Sequence, residues 1–173
     1  MPSKIIMLKL LTLILFLSLS FVGYSEPIIV LTAPPGHYDF HDFGDETTQD
    51  KATVELKIIE FDPSNEWPTG AYFGFYDAMD RNNSVHFLLM RNKQIDNYCV
   101  AGYRIIENGK EVAKKAIAKF EVNDPVTVTI VFDKGNVEIK LGNGQIVTLE
   151  TKLKSVIPSV SVSSGKAYFD ITS

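Results

Sequence analysis

The segment Val126–Leu141, VTVTIVFDKGNVEIKL, indicates an antiparallel β-hairpin. Apolar and polar residues alternate on both sides of DKGN, and this period of two is typical of strands that bury one face. The DKGN sequence is typical of a tight turn between two such strands. The alternation predicts that the buried face of the hairpin is formed by Val126, Val128, Ile130, Phe132, Val137, Ile139 and Leu141.

The same alternation continues outward from this hairpin through most of the chain after Glu26. The segments are rich in Val, Ile, Thr, Phe and Tyr, and turn sequences such as DRNN, ENGK and SSGK separate them. Gly109–Glu121 fits a helix about as well as a strand, but its position between hairpin signals favours a strand. At least nine short antiparallel strands predict an all-β fold of two packed sheets, a sandwich or jelly roll, with a single closed barrel as the alternative.

The amino terminus has the pattern of a secretory signal peptide. A basic start containing Lys4 leads into the apolar run Leu10–Val22, and the small residues Gly23 and Ser25 then precede the expected cut. A membrane anchor is the alternative, but a spanning helix needs roughly 20 apolar residues and this run is shorter. We therefore expect residues 1–25 to be removed and the protein to be secreted or periplasmic.

Composition narrows the function classes of the remaining residues 26–173, which we expect to form one β-sandwich domain. The chain has a net charge of −4, which suits neither nucleic-acid phosphates nor an anionic membrane surface. Without a second hydrophobic run, we expect no stable membrane insertion after cleavage. Cys99 is the only cysteine, which excludes a disulfide framework and favours a small buried hydrophobic residue.

The carboxy-terminal half resembles the closing half of a concanavalin A-like lectin/glucanase jelly roll, a superfamily that includes laminin G-like domains. A strand leads through a tight turn to a hairpin, then to a proline-containing spacer, a strand, a short glycine turn and a final strand ending in Phe-Asp. The matching elements are Val126–Phe132, Val137–Gly144, Pro158, Val160–Val162, Gly165, Phe169 and Asp170. The resemblance follows the strand order from Lys51 to Ile171, and it implies the fold more than an activity.

The superfamily includes glucanases, whose catalytic carboxylates alternate along one strand. The nearest segment here has Glu55 and Glu60 on opposite faces, and Lys57 stands where the family would have an aspartate. The alginate-type polysaccharide lyases are another enzyme class on jelly rolls, but their arginine-rich strand is absent. The sequence therefore predicts no catalytic residues and favours a non-catalytic module, with a jelly-roll hydrolase or lyase as an alternative.

A possible metal site lies near the expected start of the mature chain. On an extended strand His37, Asp39 and His41 share one face, and two imidazoles with a carboxylate suit a divalent metal. The alternative is an edge strand with Tyr38 and Phe40 packed inward and a solvated polar face. A calcium site is equally consistent with the sequence and would use Asp42, Asp45 and Glu46. No other cofactor is predicted.

The strand AYFGFYD, Ala71–Asp77, carries large aromatic residues on both faces. If Phe73 and Phe75 enter the core, Tyr72 and Tyr76 line the outer face of the concave sheet. The intervening Gly74 would leave room there for a ligand. We therefore expect this outer face to be a binding groove.

The next two strands extend this face, presenting His86, Tyr98 and Arg104 and burying Val85, Phe87, Leu89, Cys99, Ala101 and Tyr103. Flat aromatic rings with Arg and His donors suit sugar rings. The predicted glycan-binding residues are Tyr72, Tyr76, His86, Tyr98, Arg104 and, on a loop, Trp67. The same face also carries Leu88, Met90 and Val100, so a protein ligand or a structural surface domain is the alternative.

Overall fold

The computed structural model of the chain describes residues 28–62, 64, 66–93 and 95–172. The expected signal peptide and its cleavage site lie outside these residues. No helix in the described ranges is long and apolar enough to cross a membrane. The described residues form ten strands: β1 (Ile28–Asp42), β2 (Gln49–Phe61), β3 (Thr69–Asp77), β4 (Ser84–Arg91), β5 (Tyr98–Glu107), β6 (Lys110–Glu121), β7 (Val126–Asp133), β8 (Asn136–Leu141), β9 (Ile146–Glu150) and β10 (Val156–Thr172).

Two long strands, β1 and β10, are shared by two antiparallel sheets. Up to Ser163, β10 pairs with β3, and from Gly165 onward it pairs with β2. β1 follows β10 along both halves and shifts register between Ala33 and Tyr38. The first sheet therefore runs β6-β5-β4-β3-β10-β1 and the second runs β1-β10-β2-β7-β8-β9. Hydrogen bonds connect all ten strands into one continuous sheet. This sheet bends where β10 changes partner, and the bend divides it into the two sheets of the sandwich.

The bend in β10 depends on the conformation of two residues. Ser164 has a φ of 48° and Gly165 has a φ of 157°, and neither value suits a regular strand. A Cβ atom on Gly165 would lie 2.4 Å from the carbonyl oxygen of Glu60 and 2.6 Å from Cγ2 of Thr69. Only glycine allows the strands to approach this closely at the corner between the sheets.

The core lies between the two sheets. The rings of Phe75 on β3 and Phe132 on β7 are 5.8 Å apart, although these strands are not neighbours in either sheet. Phe73 and Phe132 are fully buried, as the alternation predicted, and so is Phe169. The expected inward face of β4 and β5 is also confirmed, since Cys99 and its apolar neighbours join the same core.

The structure confirms the predicted all-β, two-sheet antiparallel jelly-roll sandwich. The stretch that fitted either a helix or a strand is the strand β6. The ladder ends at β6 and β9, so the described strands do not close into a barrel.

Candidate functional site

The outer faces of the two sheets differ in character. The second sheet presents mainly Thr, Lys and Glu, with Thr53 hydrogen-bonded to Thr129 across the face at 2.8 Å. The first sheet presents aromatic rings. Pairing places His86 opposite both Gly74 and Arg104, and Tyr72 opposite both Leu88 and Ser161. The first sheet therefore carries the more unusual outer surface of the sandwich.

The space above Gly74 is filled by the protein itself. A Cβ atom on Gly74 would lie 2.7 Å from Cδ2 of His86, so the imidazole rests directly on the glycine. The expectation that Gly74 leaves room for a ligand is therefore wrong. The glycine instead allows His86 to pack closely against β3.

His86 faces outward from the sheet as predicted, but it does not reach the surface, because only 1% of it is exposed. Nε of Arg104 donates a hydrogen bond to its Nδ1 atom at 3.3 Å, and the ring of Tyr76 lies 4.8 Å away, edge to face. Burial, assisted by the positive charge of Arg104, lowers the pKa of His86 to about 3. A neutral His86 therefore holds the Arg104 side chain in place, while its Nε2 atom has no partner among the described residues.

Tyr72 is also covered, and only 2% of it is exposed. The guanidinium carbon of Arg104 lies 4.5 Å from the centre of its ring, and the ring of Tyr38 lies 5.6 Å away. The Tyr38 hydroxyl donates to the Tyr72 hydroxyl, which is hydrogen-bonded in turn to Oγ of Ser163, both at 3.1 Å. Burial raises the pKa of the Tyr72 phenol. Tyr72 and His86 thus form a closed layer beneath the surface rather than the surface itself.

The accessible aromatic rings come from elsewhere in the chain. Tyr38 and Phe40 on β1 are 57% and 56% exposed, and Trp67 before β3 is 52% exposed. Tyr38 lies opposite Ser163 and Phe40 lies opposite Ser161, so both rings face outward on the first sheet. The alternative in which Tyr38 and Phe40 pack inward is wrong, and their place in this surface was not predicted from the sequence.

The three exposed rings and two neighbouring side chains form one surface, which we call the aromatic face. It is defined by Tyr38, Phe40, Trp67, Tyr76 and Arg104. A cleft of about 240 Å³ lies at one end, between Trp67, Tyr38 and Met90. The Trp67 backbone N–H donates to the Asp62 carboxylate at 3.2 Å, which fixes the loop that carries the indole. The exposed rings can stack on the C–H faces of a ligand, and the guanidinium can donate hydrogen bonds beside them.

Arg81 closes the other end of the aromatic face. Its guanidinium carbon lies 5.2 Å from the ring centre of Phe40 and 5.7 Å from that of Tyr76. It also forms an ion pair with Asp42. The aromatic face therefore extends from Trp67 at one end to Arg81 at the other.

Tyr98 lies outside this group. It shares the outer face of β5 with Arg104, but the two are six positions apart, which is about 20 Å along a strand. Nζ of Lys119 lies 4.1 Å from the centre of its ring. The structure thus brings together the predicted residues Trp67, Tyr72, Tyr76, His86 and Arg104, and leaves Tyr98 apart.

The structure does not assemble the predicted metal site. Within the described part of the chain, no group of three or more His, Cys, Asp or Glu residues could hold a metal ion. His37 precedes the point where β1 resumes its pairing, while Asp39 and His41 lie opposite Val162 and Val160. The alternative calcium trio fails as well, because Asp42 is paired with Arg81.

Neither a family model nor a curated protein matches the chain. Among solved structures, the carbohydrate-binding module CBM66 from Bacillus subtilis matches it with a TM-score of 0.57 and 12% identity, over 87% of this chain and 98% of that one. A functionally unknown protein from Saccharomyces cerevisiae matches with a TM-score of 0.57 and 11% identity, over 84% and 88% of the two chains. A single mutant of congerin II matches with a TM-score of 0.52 and 13% identity, over 79% and 100%. At these identities the likenesses show a related jelly-roll fold.

Proposed function

We propose that this protein is a non-catalytic carbohydrate-binding module that binds a glycan on the aromatic face. The observation that carries the proposal is the set of exposed rings, Tyr38, Phe40 and Trp67, which lie on the same side of the sandwich as the Arg104 guanidinium. Sugar rings present C–H faces that stack on such aromatic surfaces, and their hydroxyls accept hydrogen bonds from donors such as Arg104. The fold likeness to a carbohydrate-binding module supports this assignment.

The proposal includes membership of the concanavalin A-like superfamily. The segments that carry this resemblance occupy β7, β8 and both halves of β10. Gly165, the glycine of the short turn in the resemblance, lies at the bend of β10. The superfamily's sandwich architecture agrees with the two-sheet arrangement of this chain.

A glycan array followed by titration calorimetry tests the proposed binding. Trp67→Ala should weaken binding of the glycan selected on the array by at least about tenfold, because it removes an exposed stacking surface. Its melting temperature should change little, since about half of Trp67 is exposed in the folded protein. Tyr168→Ala is the matched control, because Tyr168 lies on the outer face of the second sheet.

Arg104→Ala should weaken binding as well, but it should also lower the melting temperature because His86 loses its hydrogen-bond donor. Trp67→Ala is therefore the decisive variant. If the wild type binds no glycan on the array, or if Trp67→Ala binds as tightly as the wild type, the aromatic face is not a glycan site.

A protein-interaction or structural surface domain is the second candidate. It is favoured by the apolar side chains of Leu88, Met90 and Val100, which share the outer face of the first sheet and line one cleft. This candidate would lead if the wild type bound no glycan. A jelly-roll hydrolase or lyase is the third candidate, and release of products from polysaccharides would reveal it.

We also propose that the protein is exported to the periplasm or the extracellular medium, with residues 1–25 as a signal peptide and residues 26–173 as one β-sandwich domain. The support comes from the basic start, the apolar run and the small residues before Glu26. The domain proposal is also supported by the single ladder that connects all ten described strands.

A further inference from the structure

Arg104 is a half-buried cation without an ionic partner among the described residues. Its Nε donates to a neutral histidine, its guanidinium lies over the ring of Tyr72, and it also interacts with the Tyr38 hydroxyl, which is not an ionic partner. None of the ion pairs in the described residues includes Arg104. Partial burial of a charge is costly unless an opposite charge or hydrogen bonds compensate for it, and the guanidinium has further N–H donors beyond Nε.

The residue opposite Arg104 is a second cation, which makes the burial of the Arg104 charge less favourable. Lys114 on β6 pairs with Arg104 across the outer face, which places their Cβ atoms about 5 Å apart. Like charges that lie directly opposite each other on adjacent strands are destabilising. Lys114 has no ion pair with a described residue, and Glu111, the nearest acid in register on β6, lies beyond a bulge and opposite Ile106.

Two clefts that share Met90 lie between Lys114 and the exposed ring of Trp67. A cleft of about 180 Å³ lies between Lys114, Leu88 and Met90, and Met90 also lines the cleft beside Trp67. Neither cleft has an Asp or Glu among its lining residues, although the chain as a whole has a net charge of −4. The two clefts together are therefore aromatic at one end, at Trp67 and Tyr38, and cationic at the other, at Lys114 and Lys115.

From this arrangement we propose that Arg104 and Lys114 bind the acidic group of a saccharide, so that the ligand of the aromatic face is an anionic glycan. This inference rests on the proposed glycan binding. A carboxylate or sulfate between the two cations would relieve their repulsion and accept charge-assisted hydrogen bonds. Trp67 and Tyr38 would then stack on the sugar to which the acidic group belongs, or on its neighbour in the oligosaccharide.

Protection of an exposed sheet edge also explains lysines on β6, because β6 is an edge strand. Edge protection would be served equally by Lys114 and by Lys110, which lies on the same strand and opposite Glu107. Lys110→Gln is therefore the matched control for Lys114→Gln. Only Lys114 is expected to affect recognition of an acidic ligand.

The test uses an array that pairs each uronate-bearing or sulfated glycan with its neutral parent, which also distinguishes carboxylate from sulfate. The wild type should prefer acidic members, and higher NaCl should weaken their binding. By calorimetry with the selected acidic glycan, Lys114→Gln should lose about three- to tenfold in affinity, while Lys110→Gln should match the wild type. Binding of the neutral parent should not change in Lys114→Gln.

Three outcomes would overturn the inference. If the wild type binds neutral and acidic partners equally, or only neutral ones, the glycan site stands but its acidic specificity is wrong. Unchanged binding of the acidic glycan by Lys114→Gln would likewise remove Lys114 from the site. If no glycan binds the wild type, the proposed function itself fails, and this inference fails with it.

Discussion

His86 shows how one buried side chain links the aromatic face to the stability of the sandwich. The folded protein keeps its imidazole neutral, because burial and the neighbouring Arg104 charge lower its pKa to about 3. In the unfolded chain an ordinary histidine titrates at about 6.5. Between these two pH values the unfolded chain binds a proton that the folded protein excludes.

This difference predicts a specific pH dependence of stability. The contribution of His86 is fully present above about pH 6.5 and is lost as the pH falls toward 3, with a slope of up to about 1.4 kcal/mol per pH unit. In calorimetric melts between about pH 7 and 4, His86→Gln should therefore lose stability less steeply than the wild type. His41→Gln is the control for replacing a histidine, because His41 is exposed. Parallel curves for the wild type and His86→Gln would contradict this account.

Period-two alternation correctly placed the individual residues of β3 and β4 on their faces. Phe73 and Phe75 are in the core, while Tyr72 and His86 are on the outer face. The alternation could not show that the last two are covered, because that cover depends on contacts between distant segments. Tyr38, which packs on Tyr72, is 34 residues away in the sequence.

At the level of strands, the sequence predicted that β1 exists but not which way its rings point. Tyr38 and Phe40 share one face of an extended strand in any register, and only pairing with β10 decides whether that face is inside or outside. A register shift between Ala33 and Tyr38 sets the pairing. A one-residue change of register reverses every side chain, so a strand without a clear apolar face is hard to orient from its sequence.

The bend in β10 leads to a prediction about Gly165. Gly165→Ala should destabilise the protein by about 2 to 4 kcal/mol, because the added Cβ would meet the Glu60 carbonyl oxygen in an already unfavourable backbone conformation. Gly144→Ala separates these two effects. Gly144 also has a positive φ, 89°, but a Cβ there would have no atom within 4 Å, so we expect a cost of about 1 kcal/mol.

Chemical denaturation of both variants measures these costs. Equal destabilisation by the two substitutions would mean that the close approach at the corner contributes nothing. A larger loss for Gly165→Ala would show that the sheets need this approach to share β10.

At the scale of the whole molecule, the export proposal predicts where the exported protein begins. The exported protein should begin near Glu26, because Gly23 and Ser25 place small residues before the expected cut. Mass spectrometry of the protein expressed in a host with a secretory pathway would measure its amino terminus. Recovery of only the full-length chain in the membrane fraction would contradict export by this route.

The position of β10 in both sheets also affects when the protein can fold during its synthesis. β10 is the last of the ten described strands, and it pairs with β1, β2 and β3, the first three. Until β10 has left the ribosome, β3 and β2 each lack the neighbour that joins one sheet to the other. Such distant pairings form slowly. The nascent chain therefore stays without its sandwich until β10 has been synthesised, and an unfolded chain is the form that can be threaded through a narrow translocation channel.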